Sequence, residues 1–344
     1  MVAGDLGAAA AGSAEFSRVL NLFYLEPDED RWLSFDRYPR RIIRRLLRGK
    51  PRPSGHTKVF LNLCGGLDRI GAPYRVNDFR FARKNPKSLV CIVGKSFLLD
   101  KIKWKNPILF GAAGYSHPID DRQLLERLPV KMVLVPGPWM KGMCEPYWGK
   151  AVEFWPVGID TDMWRPSRRE NKTIDVLIYD KVRWEHHRYE AELIRPILAF
   201  LRKSGRSYLE IRYGYYREED FHLALARCRV MIFLCEHETQ GIAYQQALSC
   251  GVPIFAWDRG GPWQDPSYYP HKVMFSPVTS VPYWDERCGH RFSGLAEFEA
   301  RWSLFWDDAQ RGQFVPRDYV LENLTLEKCA RDYVQLARTV EGAA

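Results

Sequence analysis

The segment LCEHETQGIAYQQALSCGVPIFAWDRGG, residues 234–261, decides how this chain is read. Val230–Leu234 is an unbroken apolar run that ends a buried strand, and Glu238–Gln240 form a turn. Gly241 opens a helix that stops before Gly251, a glycine suited to the position just past a helix, with Pro253 close behind it. The next strand, Val252–Trp257, runs into the loop Asp258-Arg259-Gly260-Gly261. Strand, turn, helix and strand in so short a stretch is a unit of a parallel α/β sheet.

A helix that begins Gly-Ile-Ala after a tight turn offers unpaired backbone N–H groups and the positive end of its dipole to an anion. Gln240, Gly241, Ile242 and Ala243 are therefore candidates to cradle a diphosphate, with Gly241 letting the phosphate come close. Glu238 precedes the helix and Gln246 falls in its second turn. The carboxylate can address a sugar while the amide addresses another hydroxyl-bearing part of the same ligand, such as ribose.

Outward from this segment the chain alternates short aliphatic runs with amphipathic stretches, and it does so twice. In the first half the expected strands are Val19–Tyr24, Val59–Leu63, Ser88–Val93, Pro107–Phe110, Met132–Val135 and Val152–Trp155, with helices near Arg37–Arg48, Tyr74–Lys84, Arg122–Leu128 and Trp139–Tyr147. The pattern breaks at PVGIDTDMWRP, residues 156–166. It resumes with strands at Thr173–Tyr179, Leu209–Tyr213, Val230–Leu234, Val252–Trp257 and Val273–Phe275, and helices at Arg188–Lys203, Glu218–Arg227, Gly241–Cys250, Leu295–Asp307 and Leu326–Thr339. The fold class expected is α/β, two tandem Rossmann-like domains facing a central cleft. Residues 1–16 are a tail, 17–156 the first domain, 157–172 a linker and 173–325 the second domain; 326–344 form a C-terminal helix that can pack back on the first.

These residues resemble the retaining glycosyltransferases of family four and their GT-B relatives. Their donor motif is Glu-x7-Glu followed by Ala-x-Ala/Ser-Cys-Gly-x-Pro, against Glu238, Gln246 and Ala247-Leu248-Ser249-Cys250-Gly251-Val252-Pro253 here. PVGIDTDMWRP looks like the family's interdomain signature, and Tyr213-Gly214 with Glu218-Glu219-Asp220 precedes the motif as the family's pattern leads one to expect. The resemblance implies that Glu238 contacts donor-sugar hydroxyls and that Gln246 holds the ribose, an amide standing where the family has a carboxylate. It implies two cations after the first strand of the second domain to neutralise the leaving diphosphate. Lys181 and Arg183, in YDKVRWEHH, are the candidates. In the first domain it implies a glycine loop and a cleft histidine, assigned to Gly65 with Gly66 and to His117; Arg75 and Asn77, in GAPYRVNDFR, are candidates to bind the acceptor.

Composition sets the outer limits. With 344 residues, 46% of them hydrophobic and 27% charged, the chain can fill two domain cores. The eight cysteines show neither a Cys-x2-Cys pair nor zinc-ligand spacing, which suits a reducing, cytoplasmic setting. A net charge of +9 favours anionic partners without choosing among nucleotides, acidic lipid and nucleic acid. No RNA-binding signature is present, so no nucleic acid partner is expected. Asp160-Thr161-Asp162 imitates a metal-binding Asp-x-Asp, but it lies in the linker pattern, and no metal is assigned. Asp120 and Asp121 read as the acids of a helix start. The basic stretch 37–48 places Ile42, Ile43, Leu46 and Leu47 on one face amid arginines. It can pack on the first domain's sheet or make a peripheral contact with an anionic membrane.

The activity expected is transfer of a sugar from a nucleotide diphosphate sugar to a hydroxyl acceptor, with Glu238 and His117 as catalytic residues. Retention and independence of metal or other cofactor follow from the resemblance. The alternative is a degenerate relative that binds a nucleotide or glycan without turnover.

Overall fold

The structure, a computed structural model, describes residues 18–26, 55–112 and 114–342. The tail 1–16 and the basic stretch 37–48 lie outside the described residues. The chain divides into two compact units, one running up to Leu134 and resuming at Ala330, the other Val135–Cys329.

The first unit holds β1 (Leu20–Phe23), α1 (Gly55–Ile70), β2 (Tyr74–Val76), α2 (Phe79–Lys84), β3 (Val90–Ile92), α3 (Phe97–Lys101), β4 (Ile108–Phe110), α4 (Leu124–Arg127) and β5 (Val130–Val135). Next come α5 (Pro138–Trp148) and β6 (Val152–Phe154), then β7 (Ile174–Asp180), α6 (Arg195–Lys203), β8 (Tyr208–Arg212) and α7 (Glu218–Arg227). β9 (Cys228–Leu234), α8 (Ile242–Ser249), β10 (Ile254–Trp257), β11 (Gly289–Phe292), α9 (Leu295–Gln310), α10 (Pro316–Asn323) and α11 (Leu326–Gly342) complete the order. The first sheet runs β2-β1-β3-β4-β5-β6, with β1 to β5 paired in parallel. The second runs β11-β10-β9-β7-β8, parallel throughout.

In the second sheet the chain starts in β7, steps to β8 on one side, then returns to the other side of β7 for β9. Loops leaving β7 and β9 therefore diverge. Such a switch point, at the carboxyl ends of the strands, is where open parallel sheets open a crevice for ligands. Alternate residues of the strands feed two separate cores, as the two-residue period of a strand buried on both faces requires. Leu177, Tyr179, Met231 and Phe233 pack with Phe221, Leu225, Tyr244 and Leu248 of α7 and α8. Val176, Ile178, Val230 and Ile232 pack with Ile197, Leu201, Phe298 and Trp302 of α6 and α9.

The segment 156–166 is built into the second unit. Ile159 bridges in parallel to Thr325, and a Cβ on Gly158 would sit 2.6 Å from the Leu326 Cα, so the backbones meet too closely for any side chain there. Asp160 turns its carboxylate onto the Asp162 and Met163 N–H groups, both at 3.1 Å, which makes it a turn cap. Arg317 ties the segment down by donating to the carbonyls of Thr161 (3.1 Å), Trp164 (3.1 Å) and Ser249 (2.8 Å).

Three sequence expectations are corrected. Val59–Leu63 is helical, inside α1. Its buried residues Val59, Leu63, Gly66 and Leu67 recur at steps of four, three and one, which is one face of a helix. Tyr74–Lys84 is a strand followed by a helix: Asn77 takes a left-handed φ of 57° between them, and Asp78 caps α2 by accepting from Phe81 N at 2.9 Å. Val273–Phe275 forms no strand. Its Met274 is 79% exposed, whereas the neighbour of β10 is the polar stretch Gly-His-Arg-Phe of β11. Gly289 makes that pairing possible. At φ 135° its missing Cβ leaves room for the Ile254 carbonyl oxygen, which would stand 2.0 Å away.

Candidate functional site

The loops after β7 and β9 bring Lys181 and Glu238 together across 57 residues of sequence. The Lys181 ammonium donates to Glu238 Oε2 and lies 4.5 Å over the Tyr213 ring. Both side chains are about nine-tenths buried, at 11% and 10% exposed. Burial pulls the Lys181 pKa down, but the Glu238 carboxylate outweighs it and holds the amine above its ordinary value. Burial likewise favours neutral Glu238, yet Lys181 first, then Arg183 and the Thr239 amide, keep the carboxyl below the usual range. The two form an ionised pair.

Glu238 is fixed on its other sides as well. Its Oε1 accepts from Thr239 N at 3.0 Å, its own N–H donates to Thr279 O at 2.9 Å, and the Trp139 indole donates to its carbonyl at 2.8 Å. The loop carrying Thr279 is held by Asp258, whose carboxylate accepts from Ser280 N (2.8 Å) and Thr279 Oγ1 (3.0 Å). The chain before α5 comes close too: a Cβ on Gly137 would lie 2.5 Å from Thr239 O, and Tyr283 donates to Pro136 O at 2.6 Å.

Arg183 is exposed beside the pair, its guanidinium 4.2 Å over the Trp184 ring. Trp184 in turn meets the imidazole of His237 at 4.8 Å, and that imidazole also meets Trp139 at 5.8 Å with the rings steeply inclined. His237 is 4% exposed and neither ring nitrogen has a hydrogen-bond partner among the described residues. Burial, reinforced by Arg183, pulls its pKa down to about 3, so it is neutral at physiological pH.

Glu236, 1% exposed, accepts on Oε1 from the backbone N–H groups of both Arg183 and Trp184, each at 2.8 Å. Its Oε2 is buried without a partner, and burial raises its pKa against those two donors. Sequence reading assigned nothing to Glu236, His237 or Trp139. The buried polar pair directly after an apolar strand was the signal available, since carboxylates are rarely fully buried without a task.

Gly241 takes a left-handed φ of 80° at the start of α8, and a Cβ there would sit 1.9 Å from the Tyr244 ring. The glycine is required by the protein's own packing before any ligand is considered. Ile242 and Ala243 are half-buried in the first turn, where helix N–H groups have no helical acceptor. Gln246 is 6% exposed on the same helix. Gln240 is occupied: its Oε1 accepts from Val157 N at 3.2 Å and its backbone carbonyl from the Gln245 amide at 2.6 Å.

The remaining expected site residues lie in the first unit. Gly65 and Gly66 sit inside α1, so the glycine loop expected after a strand does not exist there. His117 is 1% exposed and its Nδ1 accepts from Ile119 N at 3.0 Å, capping the short turn Pro118–Asp120. Asn77 clips the end of β1 with both ends of its amide, to Tyr24 N and O at 2.9 Å each. Arg75 lays its guanidinium 4.3 Å over the Phe81 ring.

The sequence matches no family model and no curated protein. Solved structures do share the fold. HepE of Anabaena, in complex with UDP and glucose, superposes with a TM-score of 0.54 at 8% identity over 94% of this chain and 100% of its own. AviGT4, a glycosyltransferase involved in avilamycin A biosynthesis, gives 0.51 at 14% identity over 86% and 92%. Sucrose-phosphate synthase of Thermosynechococcus elongatus gives 0.51 at 13% identity over 77% and 76%. The architecture, two parallel α/β sheets of six and five strands, is the GT-B fold of glycosyltransferases. No described helix is long and apolar enough to cross a membrane.

Proposed function

We propose that this protein transfers a sugar from a nucleoside diphosphate sugar to a hydroxyl acceptor, with retention at the anomeric carbon and without a required metal. The observation that carries the reading is the ionised Lys181–Glu238 pair at the β7/β9 switch point, beside the free first turn of α8. In this reading the anomeric C–O bond breaks with its electron pair passing to the diphosphate. The acceptor oxygen bonds to the same carbon, and its proton leaves with the diphosphate. Lys181, Arg183 and the Ile242 and Ala243 N–H groups meet the charge growing on that leaving group. Glu238 addresses the sugar hydroxyls, and the Gln246 amide, one acceptor and two donors, suits a ribose diol. Retention and metal independence rest on the sequence resemblance. The eight unpaired cysteines support a reducing, cytoplasmic setting.

A nucleotide- or glycan-binding protein without turnover is the second reading, favoured by the amide at Gln246 where the resembled motif has a carboxylate. One screen separates the two. Thermal shifts against UDP, GDP and ADP and their sugars, followed by mass spectrometry with a hydroxyl acceptor panel, are expected to give both a stabilising nucleotide and a glycosylated product. UDP comes first because HepE, which shares the fold, holds it. Stabilisation with no product or sugar release would select the binding protein, and no stabilisation by any nucleotide would remove both.

A further inference from the structure

We infer that Glu236 is a positioning residue for the diphosphate subsite, fixing the backbone from which Arg183 is presented; this rests on the donor-site reading above. The loop after β7 carries both cations but is short of anchors of its own. Lys181 N donates to Leu234 O at 2.7 Å, continuing the β7–β9 ladder, and Val182 N donates to Asp180 Oδ1 at 3.0 Å. Beyond Val182 the chain turns away from the sheet, and two successive N–H groups, of Arg183 and Trp184, point back at β9. A single carboxylate oxygen of Glu236 receives both. Bonds from N–H donors to a carboxylate are shorter and stronger than neutral ones, and two on one oxygen fix an orientation that one bond leaves free to swing.

Glu236 and Glu238 therefore address one loop, from positions two residues apart, in different ways. Glu238 takes the Lys181 ammonium, whereas Glu236 takes the backbone of the residue whose side chain remains exposed. The consequence passes outward through a stack. With its N–H held, Trp184 lies against buried His237, His237 against Trp139, and the Arg183 guanidinium rests over the Trp184 ring. An exposed arginine held in this way is preorganised for an anion, and less rotamer freedom is lost when the anion arrives. Glu236 touches no ligand in this account and acts through Arg183.

The test uses the full chain with Glu236→Leu, which removes the acceptor but keeps the volume, and Glu236→Gln, which keeps one acceptor oxygen; Glu236→Ala replaces the leucine variant if that does not fold. Two quantities are read: amide hydrogen exchange across residues 181–184 with the α8 amides as internal reference, and calorimetric affinity for UDP, GDP and ADP. With leucine, exchange at Arg183 and Trp184 is expected to rise at least about tenfold while α8 stays protected. The affinity for the nucleoside diphosphate that the native protein binds should fall about tenfold, equivalent to about 1.4 kcal/mol. Glutamine should restore both to within a few-fold, and adding Arg183→Ala to the leucine variant should cost little more. Unchanged exchange overturns the inference, as does a loosened loop with native affinity or a glutamine variant as impaired as leucine. A native protein that binds none of the three nucleotides refutes the donor site itself, and that outcome is visible before any variant is made.

Discussion

Replacing Glu238 with alanine is expected to destabilise the protein by about 3–5 kcal/mol, because it strands the buried Lys181 ammonium without its counter-charge. The double change Glu238→Ala with Lys181→Met should recover most of that loss, since an apolar side chain leaves no buried charge to satisfy. Chemical denaturation of the two single variants and the double variant measures the coupling directly. If the double variant is as unstable as the sum of the singles, the two residues are not a pair.

The same pair fixes a pH dependence. The folded-state pKa of Glu238 lies below its unfolded value, so its contribution is present above the unfolded pKa near 4 and is lost as pH falls through the folded one. The folded-state pKa of Lys181 lies above its unfolded value, so its contribution persists below the unfolded pKa and is lost only as pH rises through the raised one. The pair thus supports the fold across the neutral range and fails first on the acid side. Glu238→Gln should flatten that acid limb.

Gly241→Ala should lower the melting temperature of the ligand-free protein by roughly 5–15 °C. A left-handed non-glycine residue costs about 1–2 kcal/mol, and forcing a methyl into a packed ring adds about 1–3 kcal/mol. Each kcal/mol is worth about 2–4 °C in a unit of this size. The ring cannot step aside: Tyr244 is fully buried, and its hydroxyl is held by Tyr283 N at 3.0 Å and Tyr283 O at 3.2 Å. If Gly241 served only to admit a phosphate, the alanine variant would melt like the native protein and lose ligand affinity alone. Differential scanning fluorimetry without nucleotide distinguishes these.

Much of the second unit was legible because its strands are buried on both faces and read as continuous apolar runs, as in Val230–Leu234, and because Gly251 and Pro253 mark a helix end without tertiary help. The strands that Lys181 and Glu238 follow were legible from pattern alone, whereas the selection of Lys181 came from the family resemblance and the pairing of the two side chains came only from the structure. What escaped depends on contacts remote in sequence. The β11 strand is mostly polar and is accepted at the sheet edge because Gly289 lets the Ile254 carbonyl approach. In α1, the run Val-Phe-Leu-Asn-Leu imitates a strand until Gly66 and Leu67 complete the helical face. Trp139 lies in a helix that was expected, but its donation to Glu238 O spans 99 residues, and no local pattern encodes that. Glu236 stands two residues before the motif's first carboxylate and had no assignment in the sequence, because its partners are backbone groups of another strand's loop.

The central claim is that the β7/β9 switch point holds a nucleoside diphosphate against Lys181. Titrating the best-binding nucleoside diphosphate into native and Lys181→Met protein by calorimetry tests it most directly. Losing a buried charge partner of the ligand typically costs about 2–5 kcal/mol, so the variant should bind at least about thirtyfold more weakly, compared at a temperature where circular dichroism shows both proteins folded, since the variant also leaves the buried Glu238 without its counter-charge. Equal affinity in the two proteins would place the nucleotide elsewhere and contradict the account.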